Sequence, residues 1–302
     1  MFTMRANKAW GNAKTAAAER CAREGATRKV RSRDRLRKEI AHVLLLLVII
    51  IPFVFPFLWM AVCSLKRQAD IIRMPPSWVF RPTLLHYQEV FRQYQFTHFI
   101  WNSLVVAAGS TFLSLVLGLP AAYSIARFRQ RKLALVILVA RIVPGITFLI
   151  PWFILFSRLR LVDTYTSLIL SHMLVGLPFM IWVMVPFFES LPKELEEAAM
   201  VDGSTRAGAF SRVLLPLTGP GVLTSSILSF VFSWNNFMFA VVLTGARTRT
   251  LPIAVFNFLS YSEINWGGLM AAAVVITVPI LVIALIAQRY IVAGLTAGAV
   301  KG

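Results

Sequence analysis

Residues 41–64 run for 24 positions without a charged side chain. A helix needs about 20 apolar residues to cross the hydrocarbon core of a bilayer. Lipid offers backbone groups no hydrogen-bond partners, so a run of this kind has to be helical. Five more apolar stretches follow, free of charged side chains except for Arg141 in the second: 100–126, 133–155, 165–188, 217–243 and 266–287. The chain is 58% hydrophobic and 15% charged, more apolar surface than a soluble domain can bury. The expected fold is therefore all-α and membrane-embedded, with six transmembrane helices. Pro52 and Pro56 are expected to kink the first, and Pro144, Pro151 and Pro178 fall in or near the third and fourth.

The formal charge of +18 has a topological reading. Basic residues flank the apolar runs and do not form an aromatic-interleaved patch, which argues against nucleic acid as a partner. Six crossings put both termini on one side. Of the 31 Lys and Arg, 21 fall in the N-terminal tail, the turn at 127–132, the segment 191–216 and the C-terminal tail. The positive-inside rule then places those four segments in the cytoplasm. Residues 1–39 hold twelve of the basic residues and too few apolar ones for a core, so they are expected to be a retained, disordered cytoplasmic tail. Residues 40–290 would be the membrane domain and 291–302 a second cytoplasmic tail. The two cysteines, Cys21 and Cys63, suggest neither a disulfide framework nor a metal site.

The six runs contain no acidic residue. Ion-coupled transporters usually keep carboxylates in the membrane to carry or balance the ion. The chain also lacks the G-x-x-x-x-G-K-[ST] phosphate loop, so energy from ATP would have to come through a partner. No nucleophile–base pair suggests an enzyme.

Arg141 is the one charge deep in a run, where insertion costs roughly 3 kcal/mol. Two readings stand: a pathway or inter-subunit residue, or a structural arginine bonded to carbonyls loosened by Pro144. His172 reads as a packing residue. Trp234-Asn235-Asn236-Phe237 sets adjacent amides beside rings inside the fifth run. Such amides must face protein or water, so Asn235 and Asn236 either line a path suited to a sugar or pack helices.

The segment 191–216, LPKELEEAAMVDGSTRAGAFSRVLLP, is the most polar long stretch between two very apolar ones. It reads as two short helices. Pro192 suits a first helical position, and the glutamates after it favour the positive end of the helix dipole. Gly203 stops the first helix, Ser204 caps the second and Pro216 ends it. Ala198, Ala199, Ala207, Gly208 and Ala209 keep both helices thin, so a partner could approach closely, and a bulky residue at Ala199 is expected to block it. A solvated loop joining two spans is the plainer alternative.

Glu197-Ala198-Ala199, then Asp202-Gly203, then Leu215-Pro216, resemble the EAA loop of ABC importer permeases. Asn102-Ser103-Leu104, Ala121-Ala122-Tyr123 with Arg127-Phe128, Leu177-Pro178-Phe179 and Thr250-Leu251-Pro252 resemble the binding-protein-dependent carbohydrate-importer branch. The ending from Gly294 to Gly302 is similar to that of its maltose-type, MalG-like members. The resemblance implies a second permease subunit, a dimeric ATP-binding-cassette ATPase holding ATP and Mg, and an external solute-binding protein. It implies no cofactor or metal on this chain itself. It implies that Glu197, Ala198, Ala199, Asp202, Gly203 and Pro216 form the ATPase-coupling element, and that Gly294, Gly298, Lys301 and Gly302 reach the ATPase. It places the chain in the bacterial inner membrane. Asn236 departs from the family, whose members often have Glu there.

Overall fold

The computed structural model describes residues 38–259 and 264–297, without the side chains of Arg141 and of residues 289–297. The expected basic tail, apart from Lys38 and Glu39, lies outside the described residues. The chain divides into two compact units at Trp59 and Met60, inside helix α1, Lys38–Ser64. In the first unit α1 is apolar and exposed from Ile40 to Leu58. Its helix runs through Pro52 and Pro56 without interruption.

The second unit is helical, with one isolated β-bridge between Leu259 and Ile264. After short helical turns at Gln68–Ile72, Leu85–Gln88 and Glu89–Gln93 come α2, Phe96–Arg127; α3, Arg131–Ile142; α4, Leu149–Arg158; and α5, Tyr165–Glu189. Then come α6, Glu194–Val201; α7, Arg206–Leu217; α8, Gly219–Trp234; and α9, Met238–Leu243. The last two are α10, Leu251–Ala254, and α11, Trp266–Ala297. Among the described residues, α1, α2, α5 and α11 are each long and apolar enough to cross a membrane, and two bent pairs raise the number to as many as six.

Two of the expected runs are broken. The run 133–155 breaks at Pro144, and its two helices meet at 81°. Val143 is extended, with ψ 122°, because the proline ring behind it disfavours helical backbone. The run 217–243 breaks after Trp234 and resumes at Met238. There the Asn236 side-chain oxygen accepts from the Phe239 N–H at 3.3 Å and gives α9 its start. Two boundaries also move outward: the second helix begins at Phe96, and the last continues to Ala297, well past residue 287.

Helices α2, α5 and α8 pack through small residues, as suits membrane helices that have no hydrophobic force to draw them together. Ser103, Ser110 and Ser114 on α2, Ser167 and Ser171 on α5, and Ser225, Ser229 and Ser233 on α8 are all buried. A Cβ on Gly109 would stand 2.7 Å from Ile169, and one on Gly221 2.7 Å from the Phe187 ring. The glycines are therefore what lets α2 and α8 approach α5.

Candidate functional site

The segment 191–216 folds as the helical hairpin α6–α7. Helix α6 begins at Glu194 after Lys193, so Pro192 lies just outside it. At its other end Gly203 takes φ 86°. The Gly203 N–H donates to Met200 O at 3.1 Å and the Ser204 N–H to Ala199 O at 3.0 Å, which satisfies two end carbonyls in a Schellman arrangement. Thr205, not Ser204, caps α7, accepting from Gly208 N–H at 3.2 Å. Helix α7 widens into a π-turn at Phe210–Leu214 and passes through Pro216 to Leu217. It then turns by 80° at Thr218 into α8.

One edge of α6 is held and the other is free. Glu196 is 5% exposed. It accepts from the Tyr123 hydroxyl at 2.5 Å and from Arg127 Nε at 2.5 Å, both on the last turns of α2. Arg206 approaches the same carboxylate at 3.6 Å and lies over the Phe128 ring. Tyr123, Phe188 and Phe210 pack edge-on and tilted beneath, with centroids 5.0–5.9 Å apart. This anchor was not legible in sequence, where Glu196 is one of several glutamates and its partners lie some seventy residues away.

Of the sequence-derived coupling residues, Glu197, Ala198, Asp202, Gly203 and Pro216 are exposed. Val201, beside them, is 87% exposed. Ala199 is 8% exposed and faces inward, so its small size serves the packing of the hairpin rather than an open surface. Gly294 lies within α11. Gly298, Lys301 and Gly302 lie outside the described residues. Arg141 belongs to α3, and its side chain lies outside them too.

Asn235 and Asn236 line a cavity of about 720 Å³ with Phe179, Phe232, Phe237 and Phe239. Trp234 does not take part: its ring is buried and its Nε1–H donates to Ile276 O at 3.2 Å. Of the rings beside the amides, Phe237 belongs to the sequence pattern, whereas Phe179, Phe232 and Phe239 were not part of it. His172 is 2% exposed and lies against Phe239. Ser233 Oγ lies 2.9 Å from Ser110 Oγ and 2.7 Å from His172 Nδ1, and His172 Nε2 has no hydrogen-bond partner among the described residues.

At the other end of the bundle, Asp163, with φ 58°, clasps the loop between α9 and α10. Its carboxylate accepts from the N–H groups of Gly245 at 2.9 Å and Thr248 at 3.0 Å and from the Thr248 hydroxyl at 2.7 Å. Burial raises the Asp163 pKa, but these hydrogen bonds outweigh it and hold the carboxyl below its ordinary value. Asn102 extends the clasp, donating to Arg247 O and Arg249 O at 2.9 Å and accepting from Tyr165 at 2.6 Å. Among the described residues no group of three His, Cys, Asp or Glu is placed to hold a metal ion.

Residues 114–297 match the family of binding-protein-dependent transport system inner membrane components. The trehalose transport permease SugB of Mycobacterium tuberculosis is 38% identical over 82% of this chain and 92% of its own length. The trehalose/maltose permease MalG of Thermococcus litoralis is 34% identical over 89% and 99%. The sulfoquinovosyl glycerol permease SmoH of Agrobacterium fabrum is 36% identical over 84% and 91%. In fold, the chain is similar to a chain of a bacterial importer of the acidic polysaccharide alginate, with TM-score 0.70, 20% identity and coverage of 83% and 95%. On these matches the chain belongs to the binding-protein-dependent inner membrane components, the permease subunits of ATP-binding-cassette importers, and is a transport subunit rather than an enzyme.

Proposed function

We propose that this chain forms half of the alternating-access path of a carbohydrate importer, beside a second permease subunit. An external binding protein delivers the solute, and a dimeric ATPase binds ATP with Mg and hydrolyses it. The hairpin α6–α7 is the coupling element seated in the ATPase, with Glu197, Ala198, Asp202 and Gly203 on its docking face. Helix α11 and the residues after it, from Gly294 through Gly298 to Lys301 and Gly302, extend toward the same partner. The chain crosses six times, α3 with α4 forming the third crossing and α8 with α9 the fifth. Both termini are cytoplasmic, the tail 1–39 precedes the membrane domain, and 291–302 reaches the ATPase.

The observation that carries this reading is the division of α6 into a held and a free edge. A capped helix clamped through Glu196 passes a push to α2, and through α7 the same push enters α8. The far end of α8 lies at Asn235, on the cavity. Amides beside phenylalanine rings suit a sugar, whose hydroxyls want hydrogen bonds and whose apolar faces stack on rings. Relatives named for trehalose, maltose and sulfoquinovosyl glycerol support the carbohydrate class.

The test is to purify the tagged chain from gently solubilised membranes and identify by mass what accompanies it. A second permease and a phosphate-loop ATPase are expected. Recovery of the folded chain alone would overturn the assembly. Loss of the ATPase, but not of the permease, from a Glu197→Arg/Asp202→Arg variant would identify the docking face.

A further inference from the structure

Beside the hairpin anchor, a polar cavity of about 360 Å³ opens between the end of α2, the start of α3 and the end of α5. Its lining includes Arg127, Arg129, Arg131 and Lys193 against a single acid, Glu189. Arg127 is committed to Glu196. Arg129, Arg131 and Lys193 are exposed and have no ion-pair partner among the described residues. Arg131 also opens α3, a twelve-residue helix whose first turn has no side-chain cap, so its amides add to the positive field. An apolar groove of about 370 Å³ shares Arg131, Ala134 and Val185 with this cavity. It continues between α3 and α5 over Leu135, Leu138 and Trp182. Trp182 is 55% exposed.

We infer that the two together form a binding slot for one anionic phospholipid, its phosphate among Arg129, Arg131 and Lys193 and an acyl chain along Trp182. Each half argues for the other. A water-soluble partner would match the cations but not the apolar groove that continues from them. A neutral lipid or an apolar helix would match the groove and leave three cations unanswered. Basic pockets between transmembrane helices, with aromatic side chains at the interface, are the recognised setting for anionic headgroups. The slot lies at the foot of α6, where Arg127 lines the cavity and clamps Glu196. The bound phosphate therefore bears on the same arginine that holds the hairpin. The inference needs no partner subunit and does not depend on which side of the membrane the hairpin occupies.

The full chain, with whatever subunits accompany it, is stripped of lipid in mild detergent. It is then offered palmitoyl-oleoyl phosphatidylglycerol or the phosphatidylcholine with the same chains, and retained lipid is counted by native mass spectrometry. One retained phosphatidylglycerol, and little phosphatidylcholine, is expected. Arg129→Gln/Arg131→Gln should weaken retention roughly thirtyfold, from two charges at about 1 kcal/mol each, while Arg129→Lys/Arg131→Lys should keep it. Trp182→Ala should weaken retention of the lipid without changing competition by inorganic phosphate. Equal retention of the two lipids, or lipid retention unaffected by Trp182→Ala, would overturn the assignment. A second measurement needs no variant. Photoactivatable phosphatidylglycerol should label peptides covering 129–138 and 182–193 in the unaltered protein. Labelling elsewhere, or cross-linking of this face to a second permease or the ATPase in its place, would overturn it.

Discussion

Glu196 and Asp163 are two carboxylates put to opposite uses of one chemistry. Glu196 is almost fully enclosed and answers a partly buried arginine, so removing either member leaves the other without its nearest opposite charge. Breaking such a pair costs about 3–5 kcal/mol. Glu196→Gln and Arg127→Gln should each lower the unfolding temperature of the detergent-solubilised protein sharply. The double variant should lose much less than the sum, and additive losses would mean that the pair is not the clamp. Asp163 instead organises backbone amides. Its folded pKa is depressed by hydrogen bonds that outweigh burial, so its contribution is present above the unfolded value of about 3.9 and is lost as pH falls through the folded one. The clasp is thus intact throughout the physiological range. Asp163→Asn turns an acceptor into a partial donor facing three N–H groups. The loss should be about 1–3 kcal/mol at neutral pH, read as faster hydrogen exchange at Gly245 and Thr248. The gap between variant and parent should narrow in strong acid, and a gap constant with pH would remove the ionised carboxylate from the account.

Among the elements, the hairpin is held in shape by one left-handed residue. Nothing lies within 4 Å of where a Gly203 Cβ would sit, so only its φ of 86° resists substitution. Gly203→Asn should be mild because Asn tolerates that region, and Gly203→Ala should cost about 1–2 kcal/mol. Gly203→Pro, fixed near about −65°, cannot form the turn. Solute transported per ATP hydrolysed should fall in that order while membrane insertion is unchanged. Normal coupling in the proline variant would count against the docking role. Ala198 and Ala199 separate shape from contact. Ala199→Leu should destabilise the hairpin, since its site faces inward, whereas Ala198→Leu should leave stability alone and weaken ATPase association. Much of this element could be read from its residues: the acids in the first turn, the glycine stop, the polar face between apolar runs. Its cap could not, because Ser204 and Thr205 are equal candidates until the turn geometry chooses between them. The same limit hid the break at Asn235, since an amide reads alike whether it caps a helix or lines a cavity. Pro144 did carry its signal, but proline is tolerated often enough in membrane helices that a kink and a full break look the same in one dimension. The Glu196 clamp and the arrival of Phe179 beside the Asn235–Asn236 segment are products of packing between distant segments, which no local pattern records.

At the scale of the whole molecule, the hairpin is joined to the bundle twice, by the Glu196 clamp to α2 and by the continuous path through Thr218 to α8. Both helices lie against α5 through serines and glycines that leave little room for sliding. A glycine whose Cβ would stand 2.7 Å from the Phe187 ring tolerates no change of register. Alternating access is then most economical as rocking of α2, α5 and α8 as one body, since packed interfaces of this kind switch between arrangements rather than deform. Ser110 and Ser233 offer a direct test. Their hydroxyl oxygens are 2.9 Å apart, and they join α2 to the cavity end of α8. Cysteines at both positions, oxidised to a disulfide, should fasten two helices that already travel together. Uptake should stay within about twofold of the reduced protein, less than the roughly tenfold that 1.4 kcal/mol would represent. The paired control is a cross-link between the free face of α6 and the ATPase, which should stop uptake until reduced. If instead the Ser110→Cys/Ser233→Cys disulfide abolishes uptake and a reductant restores it, α8 must slide along α2 during the cycle. The hairpin would then drive the cavity through α8 alone, with the Glu196 clamp serving only to hold α6 in place.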